Sequence, residues 1–170
     1  MRWMTRIFLV LVFVVPILWV WPQRGTTMAF YANPRWSNDP MLRRVERKIS
    51  LDFMTADSTS FPQQEFSVEW NGWLRTDRDG EYTFYTTSDD GSTIEIDGRV
   101  VVDNGGVHGA VLRAGTLATT RGLHQIRVRF LQAKEGYEFR AAWTPPGDKT
   151  RRRCRRNSCS STSHLPPSSI

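Results

Sequence analysis

The feature that most constrains the fold is a series of short runs, from Thr26 to about Trp143, in which apolar and polar residues alternate. In one run Phe66, Val68 and Trp70 alternate with polar neighbours, which is typical of a strand with one buried face. Turn residues separate the runs, and helical periodicity is nearly absent. The pattern predicts an all-β domain, either a sandwich or a barrel. The predicted strands are Met28–Asn33, Arg47–Met54, Gln64–Arg75, Glu81–Thr87, Ser92–Ile96, Arg99–Asp103, Ala110–Leu117, Leu123–Leu131 and Tyr137–Trp143.

The 170 residues have room for one such domain with short appendages. The formal charge of +6 is concentrated at the two ends of the chain. Between Thr26 and Gly147 there are 14 Lys and Arg residues against 16 Asp and Glu residues. Because this part is mildly acidic, we exclude nucleic acid as its partner.

Residues 1–25 are predicted to be a hydrophobic signal-anchor helix or a signal peptide. Two arginines precede fifteen uncharged residues, Ile7 to Trp21. This length fits a signal-peptide core or a short anchor, since a full span needs roughly 20 apolar residues. An uncleaved anchor is favoured because the best cleavage site would fall in the first predicted strand. The arginines then place the domain on the extracytoplasmic side of a membrane, whereas cleavage would give a secreted protein.

Residues 148–170 are rich in Arg, Ser and Pro, and we expect them to form a disordered basic tail. The two cysteines, Cys154 and Cys159, lie in this tail, so neither a core disulfide nor a zinc site is expected. The abrupt change in composition suggests a linker, an interaction tail, or the artefactual C-terminus of a larger or disrupted gene product.

Two adjacent carboxylates, Asp89 and Asp90, lie with Gly91 between two predicted strands. The residues alone leave two explanations open. Asp side chains form turns by hydrogen bonding to nearby backbone. Two hard oxygen ligands at one point also suit a calcium ion.

Six motifs occur in a characteristic order: Phe66–Gly72, Gly80–Phe84, Ser88–Ser92, Ile96–Gly98, Gly122–His124 and Trp143–Gly147. Together they resemble the protective-antigen-type domain, which is found in anthrax protective antigen, in yeast flocculins and beside many glycosidases. The resemblance covers residues 26–147. It implies a lectin-like β-sandwich of two antiparallel sheets and, in the best-understood members, calcium-dependent binding of carbohydrate.

The resemblance also implies particular site residues. Asp89 and Asp90 match the family's calcium-coordinating aspartates, which are joined by a cis peptide bond. Asp103 and Asn104 are the other candidate metal ligands, with Asn104 at the position of an asparagine ligand in the lectin members. Asp89, Asp90 and Asn104 would also contact the glycan, and His108 is a further candidate contact.

The chain departs from a common family pattern at Gly105, where an aromatic residue could stack on a sugar. Asp97 is explained by the turn of a hairpin, and we expect His124 to be structural. Trp73 is expected to pack in the core or at a strand edge, whereas Trp36, in a turn-rich loop, is expected to be exposed.

No arrangement of catalytic residues is evident. Glycoside hydrolysis needs two carboxylates separated by a cleft, whereas Asp89 and Asp90 would share one site. We therefore predict no enzymatic activity. The predicted function is calcium-dependent carbohydrate binding by a membrane-anchored or exported module. The alternative is a non-catalytic spacer or assembly module from the N-terminal part of a larger membrane glycosyltransferase or glycoside hydrolase.

Overall fold

The computed structural model describes residues 25–134 and 136–149, together with the backbone of residues 152–153. In chain order the elements are β1 (Thr26–Tyr31), β2 (Leu42–Glu46), α1 (Asp52–Ala56), β3 (Phe66–Thr76), β4 (Gly80–Asp89), β5 (Ser92–Ile96), β6 (Arg99–Asn104), β7 (Val111–Thr119), β8 (Gly122–Gln132), β9 (Glu138–Thr144) and β10 (Arg152–Arg153). One sheet has the strand order β2-β1-β3-β8-β5-β6, and the other has the order β10-β9-β4-β7. The predicted all-β fold with two antiparallel sheets is confirmed.

The core lies between the two sheets, where every second side chain of the central strands is buried. Trp70 of β3 stacks on Phe139 of β9, with ring centroids 5.1 Å apart and planes within 7°. Phe139 also contacts Phe130 of β8 at 5.0 Å. Burial of each such side chain contributes about 1.5–3 kcal/mol, so this aromatic contact is a main link between the sheets.

The segment between β2 and β3 differs from the prediction, which placed a strand at Arg47–Met54. Residues 52–56 form α1 instead, and Phe53 and Met54 are both buried although they are consecutive. Phe53 packs edge-on against Phe30 and Phe61. A strand would direct one of two consecutive side chains away from the core, so helical geometry is needed to bury both.

Two tryptophans differ from expectation, since Trp36 was expected to be exposed and Trp73 to pack in the core or at a strand edge. Trp36 is half-buried, its indole Nε1–H donates to the Val68 carbonyl at 3.1 Å, and the Arg129 guanidinium lies 5.3 Å from its ring. Trp73 is 61% exposed. The prediction for Trp73 was wrong because Trp73 lies three residues after Trp70 in β3, which places the two side chains on opposite faces of the sheet.

One side of the sandwich is closed where β6 passes β7. A Cβ atom at Gly115 of β7 would overlap with the carbonyl oxygen of Val101 in β6 and lie 2.8 Å from its carbonyl carbon. The position therefore requires glycine because the two backbones are in contact.

The strand register gives the sandwich two distinct ends. At the end called the base, β1 begins beside the end of β2, and Thr76 of β3 pairs with Gly122 of β8. Gly25, the first described residue, precedes β1 and therefore lies at the base. At the opposite end, called the tip, β4 ends at Asp89 and the loop of residues 105–110 connects β6 to β7.

Residues 1–24 of the predicted anchor and most of the predicted basic tail lie outside the described residues. Within the described ranges, no helix is both long and apolar enough to cross a membrane. The backbone of Arg152 and Arg153 pairs with Trp143 and Ala142 of β9. The sequence did not predict this short strand.

Candidate functional site

Strand β4 delivers two consecutive aspartates to the tip. Because side chains alternate along β4, Ser88 is buried and Asp89 is half-buried on the outer face. The peptide bond between Asp89 and Asp90 is cis, as the resemblance implies. Asp90 is only 3% exposed. One carboxylate of the pair therefore lies at the surface and the other lies inside.

The Asp90 carboxylate accepts hydrogen bonds from two separate segments of backbone. Its Oδ1 accepts from the His108 N–H at 2.9 Å, and its Oδ2 accepts from the N–H groups of Ala133 at 2.8 Å and Lys134 at 3.4 Å. The Asp90 N–H donates to the Gln132 side chain at 3.2 Å. These donors replace the water that a buried carboxylate loses. Asp90 thus joins the β6–β7 loop and the end of β8 to the end of β4.

Asn104, at the end of β6, is also buried, with 3% exposure. Its Nδ2 donates to Ser88 Oγ at 2.9 Å and to the Val111 carbonyl at 3.0 Å. Ser88 Oγ also lies 2.8 Å from Ser92 Oγ. Since a carbonyl can only accept, the contact with Val111 determines which end of the amide carries the nitrogen. The amide oxygen of Asn104 has no hydrogen bond within the described part of the chain.

The backbones at the tip approach each other closely. A Cβ atom at Gly91 would lie 2.7 Å from the carbonyl oxygen and 3.1 Å from the nitrogen of Gly106. Gly106 itself has a φ of 107°, a conformation that favours glycine. Glycine at both positions therefore allows the β6–β7 loop to reach the aspartate pair.

Of the other two predicted site residues, His108 lies at the tip, whereas the Asp103 side chain points away from it. His108 is half-buried, and its ring nitrogens lie 2.8 Å from the Gly109 carbonyl and 3.2 Å from the Asn104 carbonyl. Asp103 is exposed, and its Oδ1 accepts from the Gly105 N–H at 3.0 Å. Asp103 precedes Asn104 in β6, so it points to the opposite face of the sheet. Asp89, Asp90, Asn104 and His108 meet at the tip, whereas the Asp103 carboxylate points away.

The oxygen atoms at the tip suit a hard cation in type. The Asp89 carboxylate has neither a hydrogen bond nor an ion pair among the described residues, and the Asn104 amide oxygen accepts none there. Calcium takes carboxylate, amide and main-chain oxygens in flexible geometry. The described residues contain no group of three or more His, Cys, Asp and Glu that could hold a metal. An ion at the tip would therefore need amide, main-chain or ligand oxygens in addition to two carboxylates.

One residue of this region was missed by the sequence analysis. Glu138 of β9 pairs directly with Asp89 of β4, so the two side chains share the outer face of the smaller sheet. Glu138 forms an ion pair of 3.3 Å with Arg140. Alternation about the inward-facing Phe139 indicates that Glu138 faces outward, but only the strand register shows that it lies opposite Asp89.

Asp97 and His124 form a separate polar contact at the base. Asp97 has a φ of 50° in the turn after β5, and its Oδ1 accepts from the Gln125 N–H at 2.8 Å. His124 Nδ1 lies 2.7 Å from Asp97 Oδ2, and Nε2 lies 2.8 Å from the Thr120 carbonyl. The hydrogen bond to Asp97 raises the pKa of His124. The same hydrogen bond lowers the pKa of Asp97. The pair joins the hairpin turn to β8, which agrees with the structural roles expected for both residues.

A comparison with protein families matches residues 22–156 to the PA14 domain, which is the protective-antigen-type domain. The chain belongs to the PA14 domain family. The resemblance stated from the six sequence motifs is therefore confirmed. A comparison with curated proteins finds no match.

Solved structures of PA14 domains share the fold at low identity. The chain is similar to the PA14 domain of the antifreeze protein MpAFP, with 15% identity, a TM-score of 0.68, and coverage of 85% of this chain and 94% of that one. It is also similar to a PA14 sugar-binding domain from an RTX adhesin, with 19% identity, a TM-score of 0.60, and coverage of 74% and 92%.

A larger protein also contains this fold. An anti-sigma factor domain-containing protein matches with 20% identity, a TM-score of 0.70 and coverage of 84% of this chain. The match spans 50% of that protein, so the present chain corresponds to about half of its length.

Proposed function

We propose that this PA14 domain binds carbohydrate in a calcium-dependent manner at the tip of the sandwich. One observation carries the proposal: the Asp89 carboxylate and the Asn104 amide oxygen have no hydrogen-bond donor among the described residues, although the surrounding backbone is extensively bonded. A similar domain of an RTX adhesin is a sugar-binding domain, which supports the ligand class.

The residues at the tip would have different roles. Asp89 and Asn104 would supply oxygen ligands directly. Asp90 would supply a further oxygen while its three backbone contacts keep the two loops in place. When bound, a calcium ion would hold sugar hydroxyl groups through coordination sites that the protein leaves open.

The tip lacks an aromatic residue at Gly105, and the same loop carries an apolar side chain at Val107, which is 66% exposed. Selectivity for a sugar would then depend mainly on the geometry of its hydroxyl groups, because stacking on a ring at position 105 is absent. We propose no catalytic activity for this domain.

The location of the domain is part of the same proposal. Residues 1–25 would anchor the chain in a membrane, with the domain on the extracytoplasmic side, or would be cleaved to release it. The site would then face the medium, because the tip is the end of the sandwich opposite to Gly25.

The test is glycan-array binding by the full chain in calcium and in excess chelator. We expect retention that is lost in chelator and in Asp89→Ala. Asp103→Ala is the matched control, because among the described residues the Asp103 carboxylate accepts a hydrogen bond only from the nearby Gly105 N–H. It should retain binding. Equal binding in calcium and chelator would contradict the proposal, and a folded protein that retains no glycan would instead favour a spacer or assembly module.

A further inference from the structure

An exposed apolar corner lies at the base of the sandwich, at the opposite end from the proposed calcium site. It consists of Trp73, which is 61% exposed, and Leu123, which is 63% exposed. In the pairing of β3 with β8, Trp73 lies opposite Gln125 and Leu123 lies opposite Arg75. Trp73 and Leu123 are therefore diagonal neighbours on the outer face, within reach of a large side chain.

This corner lies beside the point where the N-terminal segment joins the domain. A Cβ atom at Gly72, which precedes Trp73, would lie 3.3 Å from the Gly25 carbonyl oxygen. Four peptide steps separate Gly25 from Trp21, the last residue of the uncharged run. They span at most about 14 Å when fully extended. Gly25, where the described part of the chain begins, therefore lies beside the corner, and the uncharged run ends only four residues before it in the sequence.

The chemistry of the corner suits the boundary between water and lipid. Tryptophan combines a large apolar ring with a polar N–H and is enriched at membrane interfaces. Leucine adds apolar area, and the neighbouring Arg75 can keep its charge in water while its stem lies along an apolar surface. A second copy of the chain or a stacked sugar could also cover Trp73. The adjacent uncharged run of fifteen residues favours lipid.

We propose that Trp73 and Leu123 rest in the interfacial layer of a lipid bilayer and hold the sandwich with its tip directed away from the membrane. The inference rests on the membrane anchoring proposed above and is independent of calcium and sugar binding. It assigns the base of the domain to the membrane surface and leaves the tip free for ligand.

The experiment measures lipid contact at the two ends of the full chain in vesicles of phosphatidylcholine and phosphatidylglycerol. Cys154→Ser and Cys159→Ser remove the native thiols, and a nitroxide is attached at Leu123→Cys or, as the control, at Val107→Cys. Both positions are similarly exposed, at 63% and 66%. Collision rates with oxygen, which concentrates in lipid, and with a water-soluble nickel chelate are then compared by electron paramagnetic resonance.

We expect a higher ratio of oxygen to nickel collisions at position 123 than at position 107. Trp73→Ser should lower the ratio at position 123, whereas Met41→Ser, at another exposed apolar residue, should leave it unchanged. Equal ratios at the two positions in a chain that stays with the vesicles would overturn the proposal and leave anchoring intact.

The remaining outcomes also decide the question. A chain that does not stay with the vesicles would overturn both the anchoring and the corner proposal. A nitroxide at position 123 that is shielded from both reagents would show that protein covers the corner, and it would overturn the proposal in favour of a second copy. Glycan binding is measured separately, so none of these results decides the function of the tip.

Discussion

Asp90 Oδ1 accepts a 2.9 Å hydrogen bond from the backbone N–H of His108, which lies 18 residues later in the chain. Together with the bonds from Ala133 and Lys134, this contact makes Asp90 a structural link between three segments. The neighbouring Asp89 has no such contact among the described residues. The two aspartates, which look equivalent in the sequence, therefore differ in structural role: Asp90 connects chain segments through hydrogen bonds, and Asp89 does not.

This difference predicts unequal effects of the two substitutions on stability. Asp90→Ala leaves backbone N–H groups without their acceptor, and each buried group of this kind costs about 1–3 kcal/mol. We expect Asp90→Ala to lower the free energy of unfolding by at least that amount and Asp89→Ala to change it by less than about 0.5 kcal/mol in chelator. Urea denaturation in chelator measures both. Equal stability of the two variants would contradict the assigned roles.

A second prediction concerns the close contact of β6 and β7. Gly115→Ala places a methyl group against the Val101 backbone, which cannot move as a side chain does. We expect a loss of about 1–3 kcal/mol or more in the free energy of unfolding, as for other overpacked sites. Gly109→Ala is the control, because no atom lies within 4 Å of its Cβ position. Thermal unfolding compares them, and equal midpoints would show that the strands separate more easily than the structure indicates.

The Asp97–His124 contact predicts a dependence of stability on pH. The folded state raises the pKa of His124 above 6.5, so its contribution is complete below pH 6.5 and is lost as the pH rises through the raised value. The folded state lowers the pKa of Asp97 below 3.8, so its contribution is present above pH 3.8 and is lost as the pH falls through the lowered value. The contact should therefore stabilise the fold most between these two ranges.

The measurement for this contact is urea denaturation from about pH 5 to about pH 9. We expect Asp97→Asn to reduce the loss of stability as the pH rises through the His124 pKa, because the bond that raises this pKa is weakened. Asparagine also tolerates the positive φ at position 97, so the turn itself is retained. An unchanged pH profile in this variant would show that the carboxylate does not control the titration of His124.

Residue alternation predicted most of the sandwich because one face of nearly every strand is buried in the same core. The same alternation places Trp73, three residues after Trp70, on the outer face, where it does not pack in the core as expected. The segment at residues 47–54 could not be predicted in this way, since Phe53 and Met54 are consecutive and both buried, and Phe53 packs against Phe30 and Phe61, which are distant in the sequence.

The candidate site, too, was predicted from the sequence only in part. The motif around Asp89 and Asp90 identified the pair, but the sequence did not distinguish the buried carboxylate from the half-buried one. The resemblance indicated both Asp103 and Asn104 as metal ligands, whereas consecutive strand residues point to opposite faces. The sequence could not show that Glu138 lies opposite Asp89, because strand register depends on contacts between distant segments.

The last prediction concerns the linkage between calcium and stability. A ligand that binds only the folded state stabilises it by about 2.7 kcal/mol at a concentration of 100 times its Kd. We expect calcium to raise the unfolding midpoint of the full chain and to have no effect on Asp89→Ala, because this variant lacks the carboxylate proposed as a direct ligand. Magnesium should be much less effective, since it requires near-octahedral geometry and loses water reluctantly. Asp103→Ala should respond to calcium as the natural sequence does. If Asp103→Ala loses the response as completely as Asp89→Ala, the ligand set must include the opposite face of β6, and the loop of residues 105–110 would have to rearrange on binding.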